Sequence, residues 1–448
     1  MRSLAGLIGA NLLLALLGAG ALLVTGTWSR LRPASRIGPA LLGGFAVAAA
    51  VLPPLVYAGI APAPLVLVTL TAVVLAAGVA LQRRRRGGLP EAGGHGVLGA
   101  AIVAVLLVPL ALRAAFEPLT KFDAYANWSL KAKLLYGHGG LVTGGLDHRA
   151  LSDLYAASHR EYPIGLPAIE AFDFHAMGGA DVQMIHLQFV VVLAAFMATV
   201  WSLLRPRADA ALLLGALCLL VAAPSLNTQV LAAYADVPLA CLWVAAVLGI
   251  GLWLWDGRRD LLMLGCILAA GALAIKQEGI VLDAALFAVA AAVLVVARET
   301  ARLKPLALGA VAVAATGIPW QAYVRAHGFH DADIAPSLSR SARQLDQVPA
   351  IAHQLGAQLV WLKWPAIVPA AVAVALVLAL RRRDGLATAY LALLAAAMGV
   401  LSTVYLNARV YVPALLERSA ERVVVAPVLL SAVVLPVLLS RLLAPRDP

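Results

Sequence analysis

Four short stretches hold most of the residue types that can move a proton or hold an anion. They are Lys121-Phe-Asp123-Ala-Tyr125-Ala-Asn-Trp128, Glu161-Tyr162-Pro163-Ile-Gly-Leu-Pro167, Tyr234-Ala-Asp236-Val-Pro238 and Ile275-Lys276-Gln-Glu278-Gly279. Arg160 adjoins the second, and a late segment adds Glu417-Arg418-Ser-Ala-Glu421-Arg422. A carboxylate placed beside a hydroxyl can take its proton. Neighbouring lysine and arginine can stabilise an anion, most strongly where water is excluded. Asp123 and Asp236 are the candidate catalytic residues. Lys121, Tyr125, Arg160, Glu161, Tyr162, Lys276, Glu278, Arg418 and Arg422 are the candidate substrate-binding residues.

Each has a plainer reading. Asp123 is a favoured cap for a helix beginning at Ala124. Asp236 before Val237-Pro238 fits an ordinary helix start. Lys276 and Glu278 fit a solvated pair in a hairpin at a membrane surface. Glu417/Glu421 and Arg418/Arg422 fit a solvated helical turn. His138, His148, His159 and His175 lack metal-ligand spacing, so no metal site is assigned.

The chain that must position these residues is 62% hydrophobic and 13% charged over 448 residues, with a mean hydropathy of +0.90. A soluble domain has about a quarter of its residues charged. Apolar runs of about 20 residues recur throughout, each long enough to cross a bilayer as a helix. Alternating ten-residue strands are absent, which excludes a barrel. The expected fold is an all-α polytopic membrane protein with about 13 transmembrane helices. They lie near 4–25, 37–60, 64–82, 97–115, 182–204, 209–224, 234–255, 261–275, 280–297, 305–324, 362–380, 386–406 and 423–443. Leu4–Val24 follows Met1-Arg2-Ser3 as a signal peptide might be built, yet no convincing cleavage site follows, so it is read as a span. Cys218, Cys241 and Cys266 fall in apolar runs and read as small buried hydrophobes.

The net charge of +11 does not point to nucleic acid. Arginine and lysine sit in short blocks: Arg30/Arg32/Arg36, Arg83–Arg86, Arg205/Arg207, Arg258/Arg259, Arg298/Arg302/Lys304, Arg381–Arg383 and Arg441/Arg446. With the spans above, every block falls on one face, which the positive-inside rule makes cytoplasmic. The N-terminus is then extracytoplasmic and the C-terminus cytoplasmic, in the cell (inner) membrane. The outer face receives 116–181, 225–233, 276–279, 325–361 and 407–422, and with them most of the acids. That side lacks nucleotide sugars, and the sequence has no Gly-x-x-x-x-Gly-Lys phosphate loop. Glycine pairs at Gly43, Gly87, Gly93, Gly139, Gly144 and Gly178 read as hinges or turns. In the loop 116–181, Ala124–Tyr136 has an amphipathic pattern, with Lys131 and Lys133 at the edges of an apolar side. It reads as a helix lying at the interface. A second short helix is expected near 147–158. Asp283, inside an apolar run, is expected to face the protein interior.

In order, spacing and common face, the four stretches resemble the GT-C integral-membrane glycosyltransferases. The nearest branch is that of the dolichyl-phosphate-mannose–protein mannosyltransferases and aminoarabinose transferases, with bacterial relatives that use polyprenyl-phosphate sugars. The resemblance covers roughly 115–300 and is weaker at Glu417–Arg422. One departure is that three spans precede the span feeding the loop. Residues 1–95 therefore read as an added three-helix module, ahead of a transferase domain at 96–448 with a catalytic loop at 116–181 and an outer loop at 325–361.

The resemblance implies transfer of a sugar from a polyprenyl-phosphate donor to an extracytoplasmic acceptor: a lipid glycan, a polysaccharide or a protein. The implied roles are Asp123 as base in an inverting displacement, and Lys276 with Arg160, Arg418 or Arg422 as phosphate clamp. Asp236 would orient the acceptor or a cation, or assist the base, and Tyr125 and Tyr162 would bind sugar or lipid. No nucleotide cofactor is implied, and a divalent cation is left open. Membrane lipids are the surrounding partner. Two other functions fit a polytopic protein. A transporter or flippase should carry mid-membrane charges and broken spans. A ligase or polymerase using lipid diphosphates should carry its large loop late.

Overall fold

The computed structural model describes residues 2–84, 96–138, 159–329, 334, 337–360 and 363–444. Among these the chain is helical, with no strand and a single isolated bridge, Ile334 to Ala408. The helices are α1 (Arg2–Thr25), α2 (Ile37–Tyr57), α3 (Pro64–Arg84), α4 (Gly96–Phe116), α5 (Leu130–His138), α6 (Gly165–Met177) and α7 (His186–Leu204). Next come α8 (Ala210–Ala222), α9 (Pro224–Leu231), α10 (Asp236–Asp256), α11 (Arg259–Ile275), α12 (Glu278–Val296), α13 (Leu303–Thr316) and α14 (Ile318–Ala326). The last are α15 (Leu338–Arg343), α16 (Val348–Val360), α17 (Ile367–Arg382), α18 (Gly385–Leu406), α19 (Val412–Val423) and α20 (Val425–Leu443).

Nine helical stretches among the described residues are long and apolar enough to cross a membrane, or ten if α8 and α9 count as one bent span. The chain is thus a multi-pass, all-α protein. Every apolar segment of the sequence falls on a helix, but α11 has only 17 residues and α17 only 16. Length alone therefore does not establish all of them as spans.

α10 is the axis of the bundle. It is buried for most of its length and packs on α7, α11, α12 and α20. The N-terminal helices share this interior: α2 packs on α6, α7 and α11 as well as on α1. The α1–α2 contact corrects the reading of the first glycine pair. Gly43 and Gly44 lie inside α2, where a Cβ on Gly44 would stand 1.8 Å from the Leu14 carbonyl oxygen. Small residues here let two backbones touch, a device of helix packing in lipid. Gly178, by contrast, ends α6 in a left-handed conformation, as a turn glycine should.

The expected outer loop 225–233 is also corrected. Pro224 opens a new helix after the extended Ala223, and α9 leaves α8 at 58° with Ser225, Leu226, Gln229 and Val230 buried. Pro at a first helical position loses no hydrogen bond, so the break costs little backbone pairing. The outer loop 325–361 includes α15 and α16 and is not plain coil. The helix expected near 147–158 lies outside the described residues. The three cysteines are free.

Candidate functional site

The site forms where the α9–α10 and α11–α12 reversals meet the π-helical turn after Asp123 and the last turn of α19. After α9 the backbone turns at Ala233, whose φ of 52° is left-handed for a residue with a side chain. Such strain persists only where the surroundings enforce it. The turn delivers Tyr234 and then Asp236, the first residue of α10. Lys276 is the single extended residue between α11 and α12. Gly279 lets the two helices close: a Cβ there would sit 2.5 Å from the Ala272 carbonyl oxygen. Glu278 opens α12. Asp123 precedes a turn of π-helix, Ala124–Ser129, that runs into α5. Arg422 comes from the last turn of α19.

These segments bring together Asp123, Asp236, Lys276, Glu278 and Arg422. The Lys276 ammonium lies between two acids, 2.8 Å from Asp236 Oδ1 and 2.7 Å from Glu278 Oε1. Burial alone would lower its pKa, but Asp236 and Glu278 outweigh burial and hold it above the ordinary lysine range. The Arg422 guanidinium donates to Asp123 Oδ2 at 2.6 Å and packs over the Tyr234 ring at 4.7 Å. A small cavity is lined by Asp236, Glu278, Leu282, Leu401, Arg422 and Ala426. Glu278 Oε2 and Arg422 Nε are buried without a hydrogen-bond partner among the described residues.

Two plainer readings fall here. Asp123 makes no side-chain cap bond; its carboxylate goes to Arg422. Lys276 and Glu278 are not a solvated hairpin pair, because Lys276 is buried with Asp236 beneath the helix ends.

A second group adjoins the first. Lys131 is only 2% exposed, which corrects its expected place at the edge of an interfacial helix. α5 packs on α6 and turns Lys131 inward. Its ammonium donates to the His159 carbonyl oxygen and lies 5.8 Å from the Trp128 ring and 5.9 Å from Tyr162. Burial pushes this lysine down to about 8, with Glu161 pulling the other way. Tyr162 stacks on Trp128 at 5.7 Å and on His159 at 4.5 Å. Glu161 is buried and accepts from or pairs with His159 Nδ1 at 2.9 Å. Gln277 donates to the Glu161 carbonyl oxygen at 3.1 Å, so this group is tied to the turn that carries Lys276.

The other candidates stand apart. Arg160 lies over Phe329. Tyr125 is exposed and meets Lys133 at 5.2 Å. Lys121 and Arg418 are exposed and join neither group. Sequence reading missed Lys131 as a buried group, Gln277 as a tie, and the anchoring of α19. In that anchor Glu421 accepts from Ser225 at 2.5 Å and pairs with Lys363 at 2.9 Å. The hydroxyl and amide spacing of Ser225 and Gln229, one helical turn apart, was the available signal.

Farther down the same helices lies an apolar cavity of about 120 Å³. Val244 and Leu248 of α10, Leu286 and Val289 of α12, Leu393 of α18 and Val433 of α20 help line it. The small polar cavity has walls from these helices and from α19. Three more acids are buried: Asp173 and Asp283 have no hydrogen-bond partner among the described residues, and Glu170 has Ser129 near it. Burial pushes Glu170 up to about 8 and Asp173 well above the carboxylate range. Asp283 faces the interior, as its place in an apolar run implies. Among the described residues no three His, Cys, Asp or Glu side chains gather to hold a metal ion.

No protein-family model matches the chain, and no curated protein or solved structure does so either.

Proposed function

We propose that the chain is a membrane glycosyltransferase that moves a sugar from a polyprenyl phosphate to an extracytoplasmic acceptor. The observation that carries this reading is the meeting of Asp123, Asp236, Lys276, Glu278 and Arg422 at one end of a bundle whose same helices enclose an apolar cavity. A charged head and a long apolar tail fit that pairing of environments.

In this reading Asp123 takes the acceptor hydroxyl proton. The acceptor oxygen bonds to the anomeric carbon from the face opposite the phosphate. The bond from that carbon to the phosphate oxygen breaks, and the prenyl phosphate leaves with the electron pair. Arg422 and Lys276 stabilise the charge that develops on the leaving oxygen. One carboxylate base implies inversion. The topology is about 13 spans, N-terminus outside and C-terminus inside. The contacts of the basic blocks support it: Arg207 pairs with Asp256, Arg302 bonds the Leu254 carbonyl, and Arg30 and Arg258 approach Asp260. All lie around the end of α10 remote from Asp236.

The test is transfer from a defined polyprenyl-phosphate sugar in liposomes, wild type against Asp123→Asn. Full activity in a folded Asp123→Asn protein removes Asp123 from the role of base. Absence of turnover with every lipid-phosphate sugar removes the enzyme reading.

A lipid transporter or flippase is the second reading. The 58° break before α9 and the unpartnered Asp283 inside α12 favour it. Movement of a lipid-linked sugar across proteoliposomes, without a glycosylated product, would select it.

A further inference from the structure

Resting on the donor chemistry above, we propose that Asp123 and the donor phosphate compete for Arg422, so that the base is released only once the anion is bound. The two carboxylates that flank this cationic site are held very differently. Asp236 has a side chain 7% exposed and is pinned under Lys276. Asp123 has a side chain 40% exposed, and its contact in the cluster is the Arg422 guanidinium. One acid is locked; the other can be exchanged.

Charge favours the exchange. The cluster holds three carboxylates, Asp123, Asp236 and Glu278, against two cations, Lys276 and Arg422. An incoming phosphate meets a site already one negative charge in excess. It binds best by taking the place of a carboxylate, and Asp123 is the one on the open side. Arg422 is built for the swap. Its guanidinium presents five donors in a planar fork, of which Nη1 holds Asp123 while the buried Nε–H has no partner among the described residues. The Tyr234 ring supports the guanidinium face at 4.7 Å and can remain in place while the anion changes. Asp123 Oδ2, while it accepts from Arg422, is occupied and is freed for an acceptor hydroxyl only when that bond is exchanged. Binding order follows: donor first, acceptor deprotonation second.

The experiment measures binding of farnesyl phosphate and of inorganic phosphate in detergent micelles. The proteins are wild type, Asp123→Asn, Arg422→Gln and the double variant, with thermal unfolding as the check on folding. Asp123→Asn should bind both anions about five-fold more tightly, the gain expected for freeing a half-exposed ion pair. The gain should vanish in the Arg422→Gln background. Arg422→Lys replaces Arg422→Gln if the latter does not fold, and the gain should then shrink, since lysine lacks the fork. Equal or weaker anion binding by Asp123→Asn overturns the switch. Gain with inorganic phosphate alone, with farnesyl phosphate binding to no variant, upholds the switch and overturns the lipid-donor reading. Failure of every variant to bind either anion overturns the switch, and the transfer assay then decides the enzyme reading separately.

Discussion

The two ends of α10 carry ion pairs of opposite character. At 21 residues the helix separates them by about 30 Å. At the Asp256 end, arginines lie against acids and carbonyls near the surface: Arg207 on Asp256, Arg441 on Asp384, Arg302 on the Trp253 and Leu254 carbonyls. Trp253 and Trp255 take two of the guanidiniums on their faces, at 4.6 and 4.1 Å. Basic side chains are in surplus there, which fits the proposed cytoplasmic face. At the Asp236 end, among the described residues, the cluster's acids outnumber its bases, Lys276 is buried between two of them, and a donor and an acceptor lack partners. A belt serves orientation and tolerates exchange of one cation for another. A cluster with an excess of acid and unspent hydrogen-bonding groups suits the proposed donor site.

That contrast can be broken by substitution. The largest expected effect is on Asp123→Asn, which should lower transfer by about 10²- to 10⁴-fold, the usual worth of a positioned base. Product formation under single-turnover conditions measures it.

Next is Lys276→Ala. As a phosphate clamp alone, Lys276 could be truncated with the fold retained and only donor binding weakened. The structure changes this, because truncation strands Asp236 and Glu278 as buried, unpaired acids. Loss of one partner of a buried pair costs about 3–5 kcal/mol. Urea unfolding in micelles should show it, and a Lys276→Met/Asp236→Asn double variant should recover part of the loss. A single variant as stable as wild type would mean that Lys276 is not the counter-ion of both acids.

Lys131 should give a pH signature. Its pKa is about 8 in the fold against about 10.4 for a free lysine. A lysine depressed in this way binds fewer protons folded than unfolded between those values. Stability therefore rises with pH from about 8 to 10.4 and is lost as pH falls through about 8, a span worth up to about 3 kcal/mol. Lys131→Met should flatten this slope. An unchanged slope would show that the ammonium is not buried in the aromatic cage.

The smallest effect is expected in the belt. Arg207→Gln should cost less than Lys276→Ala, because Asp256 stays partly exposed and can reach water, and should leave transfer unchanged. If it lowered transfer as far as Asp123→Asn does, the two ends would not differ as argued.

Much of the architecture was legible because lipid imposes strong rules. Long apolar runs must be helices, and blocks of arginine must share a face, so the helix positions and the belt could be read directly. The short stretches around Asp123, Asp236 and Lys276 stood out because charge is rare in such a chain. What could not be read was burial at the helix ends. Lys131 looked like the edge of an interfacial helix because hydropathy records composition along one helix, not the α6 surface packed against it. The segment 225–233 looked like a loop because Pro224, Ser225 and Asn227 are polar or helix-breaking locally. Its helix is held by Glu421, almost two hundred positions away. Arg418 and Arg422 were equivalent on a helical wheel, yet only Arg422 reaches Asp123 and Tyr234.

The sequence by itself determined that this is a multi-pass helical protein with its acids and bases sorted along the chain. Hydrophobic transfer and backbone hydrogen bonding depend on local composition, so they can be summed residue by residue. Only the tertiary structure decided which charge meets which. The pairs Arg422 with Asp123 and Lys276 with Asp236 are 299 and 40 positions apart. Coulomb energy depends on distance and burial in space, and neither is written in the order of residues.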